Sequence, residues 1–243
     1  MGLCGDPIKR CFAPGTADRA RRRRLRALKT DTPTVPNPRR IAILLSGRGS
    51  NFEAIADAVD AGSIPDARIV AVVSDVATAR GLARARERGL PAHDLDRGRF
   101  ASRAEHETAV TRVLEEARAD LVCLAGYMRI LSPDFVARWR GRILNIHPSL
   151  LPKYRGTSPQ RRALEAGDSE SGCTVHVVDE GTDTGPIVLQ RTVPIAAGDT
   201  EETLSERILE VEHALYPEAI TKVLAELERG LPKAQKRVQE GPA

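Results

Sequence analysis

The chain has 243 residues, 41% of them hydrophobic, enough for one α/β domain of ordinary size to bury a proper core. No apolar run is long enough to cross a bilayer and the N-terminus lacks the apolar stretch of a signal peptide, so the sequence reads as that of a cytoplasmic protein with no membrane partner. The net charge of +4 is uneven: residues 1–40 hold eleven Lys/Arg against three acids, leaving 26 against 30 for the remainder, which argues against a basic nucleic-acid face on the core.

Residues 1–39 carry Arg21, Arg22, Arg23 and Arg24 in a row, then Pro33, Pro36 and Pro38, with almost no apolar periodicity. They read as a disordered basic leader. Aromatic side chains for stacking bases are nearly absent from it, which weakens an RNA-binding reading. Four cysteines occur, Cys4, Cys11, Cys123 and Cys173, without metal-ligand spacing, so neither a disulfide framework nor a metal site is expected. Cys123 sits in an apolar run and is expected as a buried thiol.

From Ile41 onward, short apolar runs alternate with helical patterns. Strands are expected over residues 41–45, 69–73, 92–95, 121–125 and 143–146, and helices over 51–60, 78–88, 102–118 and 133–139. In the first helix Phe52, Ile55, Ala56 and Val59 share one face. Continuous apolar strands separated by helices imply a doubly wound, mostly parallel sheet covered on both faces. After Pro148 the pattern changes to a strand pair, 174–178 and 187–193, joined by a long turn, and then a final helix over 201–227. The domain is expected to span residues 40–230, followed by a flexible tail over 231–243.

Three segments carry chemistry. The run Ser46-Gly47-Arg48-Gly49-Ser50-Asn51 ends the first strand and opens the first helix, where small residues let the backbone approach a ligand and the helix N-terminus favours an anion. It is not a dinucleotide fingerprint, because the third glycine is missing. In Asn145-Ile146-His147-Pro148, period two puts Asn145 and His147 on one side of a strand's carboxyl end. An amide beside an imidazole suits acyl transfer: the amide can hold an oxyanion and the imidazole can move a proton. Asp183 lies in a turn built from Gly181, Gly185 and Pro186. Placed beside His147, its carboxylate is expected to favour the imidazolium and raise the histidine's pKa, or to order a water that relays the proton.

These segments, with residues 124–133 and 212–217, resemble the folate-dependent glycinamide ribonucleotide formyltransferases over roughly residues 40–225. The resemblance implies the formyltransferase fold. It also implies an enzyme that moves a formyl group from 10-formyltetrahydrofolate to glycinamide ribonucleotide in purine synthesis, with small-molecule substrates and no metal. Gly49, Ser50 and Asn51 match the loop for the ribonucleotide phosphate, and Glu212 matches an acid that contacts the same substrate. Asn145, His147 and Asp183 match the catalytic trio. Met128, Arg129, Ile130 and Leu131 match the segment that holds the folate pterin, and Arg103 matches a folate-contacting arginine. His176 is similar to a position at the site's edge and is read here as structural. The resemblance leaves monomer and dimer both open.

One stretch departs from the family. After Tyr154 the chain continues Arg155-Gly156-Thr157-Ser158-Pro159-Gln160, a pattern closer to methionyl-tRNA formyltransferases, where the family usually has Pro-Gly and histidines. Two other folate-dependent enzymes are therefore alternatives. The methionyl-tRNA enzyme needs a further C-terminal domain, and the stretch after the last helix is too short for one. The formyltetrahydrofolate hydrolase carries a domain ahead of its catalytic part, and the leader is too short and polar to be one.

Overall fold

The computed structural model describes residues 38–228. The expectations for the leader up to residue 37 and for the tail over 231–243 lie outside the described residues. Seven strands form one sheet in the order β3-β2-β1-β4-β5-β6-β7. They are β1 (Arg39–Leu45), β2 (Ala67–Ser74), β3 (Ala92–Asp94), β4 (Leu121–Leu124), β5 (Ile143–His147), β6 (Glu170–Val177) and β7 (Ile187–Pro194). The first five are mutually parallel, while β6 runs antiparallel to both β5 and β7. Helices α1 (Ser50–Asp60), α2 (Arg80–Glu87), α3 (Arg103–Glu116), α4 (Pro133–Arg138), α5 (Pro159–Glu165) and α6 (Glu201–Glu228), with a short 3-10 turn over Arg97–Arg99, connect and follow them.

Strand β1 shows why both faces must be covered. All its residues from Ile41 to Leu45 are buried, and alternate ones feed different cores. Ile41, Ile43 and Leu45 pack with Phe52 and Ile55 of α1 and with Leu204, Ile208 and Tyr216 of α6. Ala42 and Leu44 point the other way, to Val110 and Leu114 of α3 and Phe135 of α4. This two-sided burial is what a continuous apolar strand requires. Tyr216, fully buried, donates its hydroxyl to the carbonyls of Leu124 and Leu144 at 3.0 Å each, tying α6 across β4 and β5. Cys123 and Cys173 are buried free thiols.

The expected elements all form, with boundaries moved by one to four residues. The strand pair joins the main sheet through β6 rather than standing apart, and β6 starts at Glu170. Helix α5 was not expected, because its seven residues, PQRRALE, offer only Ala163 and Leu164 as an apolar pair. Although α6 has 28 residues, no helix among the described residues is long and apolar enough to cross a membrane.

Chain order places a reversal at β1. The first crossovers carry the chain outward to β2 and β3, and α3 returns it to β4 on the other side of β1. Ligand crevices in such sheets open beyond the carboxyl ends of the strands at this point. The loop after β1 lies there and is pressed against α2. Gly49 has φ 81°, a left-handed conformation that favours glycine, and a Cβ on it would meet Gly81 Cα at 2.6 Å. A Cβ on Gly81 would in turn meet Gly49 Cα and Leu45 Cδ2 at 2.9 Å. The Gly81 N–H also donates to Gly47 O at 3.1 Å. Replacing Gly81 by Ala is therefore expected to cost about 1–3 kcal/mol through overpacking against backbone. Urea denaturation checks this, and a change below about 0.5 kcal/mol would mean the contact yields freely.

Candidate active site

Three connections converge at the carboxyl ends of β4 and β5. Asn145 and His147 stand on the last residues of β5, two apart and on one side, as the strand period demands. Strand β6 leaves β5 at the opposite end, where Val178 N–H donates to Ile143 O at 2.9 Å. The β6–β7 connection then folds back along β5 and delivers Asp183 to His147, with Oδ2 at 3.4 Å from Nδ1. The turn after β5 supplies the third side. Its Tyr154 carbonyl accepts from His147 Nε2 at 2.9 Å, and its Gly156 N–H donates to Asp183 Oδ2 at 2.9 Å.

His176, read from sequence as structural, belongs to this cluster. It lies opposite Asn145 in the β5–β6 register and is 2% exposed. Its Nε2 stands 3.2 Å from Asn145 Nδ2 and 3.5 Å from Asp183 Oδ1. Sequence reasoning missed it because the antiparallel register that sets His176 against Asn145 is not written in either segment alone. Tyr154, Ser158 and Asp183, none of them glycine, adopt left-handed backbone conformations with φ of 56°, 51° and 53°. Such residues persist where surrounding contacts over-determine them, here the bonds of Tyr154 O and Asp183 to the cluster.

The electrostatics correct one expectation. The pKa of His147 is lowered, not raised. Burial of the ring is the largest effect, and the Tyr154 carbonyl and the Asp183 carboxylate only partly offset it. For Asp183, burial pushes the carboxyl up. The hydrogen bond from His176, the Gly156 N–H and the two neighbouring imidazoles outweigh that and hold it below the ordinary carboxylate range. The acid is thus ionised at neutral pH beside an imidazole that stays neutral. Because the Tyr154 carbonyl can only accept, the neutral ring carries its proton on Nε2 and shows a bare Nδ1 to Asp183.

The cluster opens into a cavity of about 450 Å³, within the range of small-molecule sites. Met128, Arg129, Ile130 and Leu131 wall it on one side, and Gly156, Thr157, Ser158 and the turn over 179–183 on the other. Met128 and Ile130 are 79% and 72% exposed, an apolar surface left uncovered by the described residues. Arg103 does not line the cavity. It opens α3 and pairs with Glu107 at 3.1 Å, one contact away from the wall, since Glu107 also accepts the Ser132 N–H at 2.9 Å.

The residues expected to bind a phosphate form a second group, outside the lining of that cavity. Gly49, Ser50 and Asn51 lie at the N-terminus of α1, and the Asn51 amide donates to Glu212 Oε2 at 2.7 Å. Both side chains are buried, so the structure brings together two residues 161 apart in the chain. Burial raises the Glu212 carboxyl to about 7, with the Asn51 hydrogen bond opposing it.

Residues 39–220 match a family model described as formyl transferase. The chain belongs to the formyl transferase family. This family member is 46% identical to the phosphoribosylglycinamide formyltransferase of Escherichia coli (strain K12), over 74% of its own length and 85% of that protein. It is 51% identical to the trifunctional purine biosynthetic protein adenosine-3 of Drosophila pseudoobscura pseudoobscura over 75% of its length, but spans only 13% of that much longer protein. Among solved structures it resembles the phosphoribosylglycinamide formyltransferase of Brucella melitensis, with a TM-score of 0.74 and 50% identity over 77% of this chain and 96% of that one.

The raised Glu212 pKa has a sign that can be measured. Between its unfolded value near 4.5 and about 7, the folded state holds a proton that the unfolded state has lost, so this group's stabilisation is present below 4.5 and lost as pH rises through 7. The lowered His147 works oppositely: below about 6.5 the unfolded state binds the proton more readily, and acid destabilises. Comparing wild type with Glu212→Gln isolates the first effect. The variant is expected to gain on wild type by up to about 3 kcal/mol between pH 5 and 8, read from urea midpoints. Parallel curves would place Glu212 in the ordinary carboxylate range.

Proposed function

We propose that this chain transfers the formyl group of 10-formyltetrahydrofolate to the glycyl amine of 5'-phosphoribosylglycinamide, a step of de novo purine (IMP) biosynthesis in the cytoplasm. The observation that carries the reading is the cluster of Asn145, His147, His176 and Asp183 at the floor of the cavity walled by residues 128–131. It occurs in a chain that aligns with 85% of the length of the E. coli formyltransferase. Residues 40–230 are taken as the catalytic domain.

In this reading the pterin of the donor enters the cavity against the backbone of Met128, Arg129, Ile130 and Leu131, and its aryl portion covers the exposed Met128 and Ile130 side chains. Arg103 acts toward the donor from outside the cavity lining. Gly49, Ser50 and Asn51 take the ribonucleotide phosphate at the α1 N-terminus, and Glu212 contacts the same substrate. The two sites hold amine and formyl carbon together, which removes much of the entropic cost of a bimolecular step.

The amine nitrogen attacks the formyl carbon and gives a tetrahedral oxyanion. Asn145 Nδ2 donates to that oxygen, and His147 supports it as an imidazolium. Because the free ring is neutral, it gains its second proton during the reaction. The proton settles on Nδ1, where the ionised Asp183 turns the 3.4 Å approach into a charged hydrogen bond. The Tyr154 carbonyl gives up Nε2–H to the substrate oxygen. Asp183, through a water, takes the proton from the attacking amine and passes it to His147 Nδ1; as the carbon–N10 bond breaks, the imidazolium returns that proton by the same route to N10 of tetrahydrofolate.

Replacing Asp183 by Asn is expected to lower kcat by about 10²-fold or more while leaving both KM values within a few-fold. The same change removes the charge that favours the imidazolium, so the His147 pKa should fall further, which NMR titration reads. An unchanged pH profile and turnover would remove Asp183 from the mechanism. The acceptor is tested by incubating the protein with formyl-folate and each candidate separately. Formylated glycinamide ribonucleotide is expected. Formyl transfer to tRNA, which the loop over 155–160 would favour, or formate released without an acceptor, would overturn the assignment.

A further inference from the structure

Residues 126–131 wall the cavity without regular secondary structure, and burial holds them only at Tyr127 and Leu131, which pack on the core, while Met128 and Ile130 are mostly exposed. Polar contacts, each from a different element, fix the rest of the backbone. At the leading end, Ser46, just past β1, donates its N–H to Gly126 O at 3.1 Å and accepts the Met128 N–H on Oγ at 2.9 Å. At the trailing end, Glu107 of α3 accepts the Ser132 N–H at 2.9 Å and also the Ser132 hydroxyl. Between them stands a single tether, Arg129 Nε donating to Asp75 Oδ2 at 3.0 Å.

That tether is unequal in its exposure. The Arg129 side chain is half exposed, whereas the Asp75 side chain is 1% exposed. Asp75 immediately follows β2, and its backbone carbonyl is already used by Arg97 N–H at 3.1 Å. Its Oδ1 is buried with no hydrogen-bond partner among the described residues. A buried carboxylate with one charged partner binds that partner tightly, because separating them leaves an uncompensated charge. The acid therefore acts as a fixed anchor at the end of a rigid strand, and the mobile member of the pair is the arginine of the wall. Tyr127, largely buried, feels both Asp75 and Glu107, which add to burial in pushing its hydroxyl up, so the two anchors flank one short stretch of chain.

We propose that Asp75 is a positioning residue for the formyl donor: through Arg129 it sets the backbone of residues 128–131 in the shape that receives the donor's ring system. The proposal rests on the folate reading of that wall given above. Asp75 itself does not line the cavity and touches no reacting atom. Its loss therefore affects donor affinity and leaves the chemical step and the acceptor site intact.

The test uses Asp75→Asn, which keeps the shape and removes the charge, and Arg129→Met, which breaks the pair from the exposed side. In the full chain both are expected to raise the donor KM about 5–10-fold, with kcat and the ribonucleotide KM within about two- to three-fold of wild type, a loss of the size that one charge-assisted contact supplies. The double variant should be no worse than the poorer single, because both remove one interaction. Without any ligand, amide hydrogen exchange should quicken over residues 127–131 in Asp75→Asn and nowhere else. An unchanged donor KM, an additive double variant, or an equal rise in both KM values would overturn the proposal. A wild-type chain that does not bind formyl-folate, yet shows the local quickening in the variant, would overturn the folate reading while leaving the tether itself in place.

Discussion

The carboxylate of Asp183 is a charge set mostly out of water, and much of the site can be understood as its compensation. A buried anion persists only where donors and cations surround it. Here donors come from two directions, His176 from β6 and the Gly156 N–H from the turn after β5, while His147 at the end of β5 faces it with Nδ1, ready to take a proton. Each arrives on a different segment, so ionising one side chain locks a strand end, a neighbouring strand and two loops into one arrangement. The left-handed backbone at Tyr154 and at Asp183 itself is held within this arrangement.

The same compensation explains why the acid and the imidazole take opposite protonation states. Burial disfavours charge on both groups. For Asp183 several partners repay the loss, and it stays ionised; for His147 a carbonyl and one carboxylate do not, and it stays neutral. A neutral base beside a fixed anion can accept a proton when reaction chemistry produces negative charge nearby, and that is the state acyl transfer needs at its start. Expecting the aspartate to raise the histidine's pKa considered the pair in isolation and omitted the cost of enclosing the ring.

A second contrast separates the two halves of the crevice. The side proposed for the ribonucleotide is built on regular structure, with Gly49 and Gly81 in contact and Asn51 bonded to Glu212 of the long helix α6. The wall over 126–132 has no helix or strand of its own; Tyr127 and Leu131 pack on the core, and the side chains of Ser46, Asp75 and Glu107 hold the rest. In the proposed reading this wall receives a flat ring against backbone edges, which needs those edges free of strand or helix bonding, so its shape has to be imposed from behind.

How much of this was legible in the sequence follows from the range of the interactions. Two-sided burial writes itself into a strand as a continuous apolar run, so β1, β2, β4 and β5 and the doubly wound sheet could be read locally. Asn145 and His147 shared a side because period two is a property of the strand alone. The long helix and the strand pair were likewise visible in their own residues. Helix α5 was too short to show a period. What the chain could not disclose locally was register and return: that β6 pairs antiparallel with β5 and so sets His176 against Asn145, and that its outgoing turn folds back to place Asp183 beside His147. Nor could it show that Arg103 stops at Glu107 while Arg129 reaches Asp75. The sequence by itself determined the layers, the strand ends and the residue types available for proton transfer, because those depend on neighbours a few positions away. Only the tertiary structure decided which charges meet and which of them stay ionised, since solvent exclusion and charge proximity depend on segments brought together from across the chain.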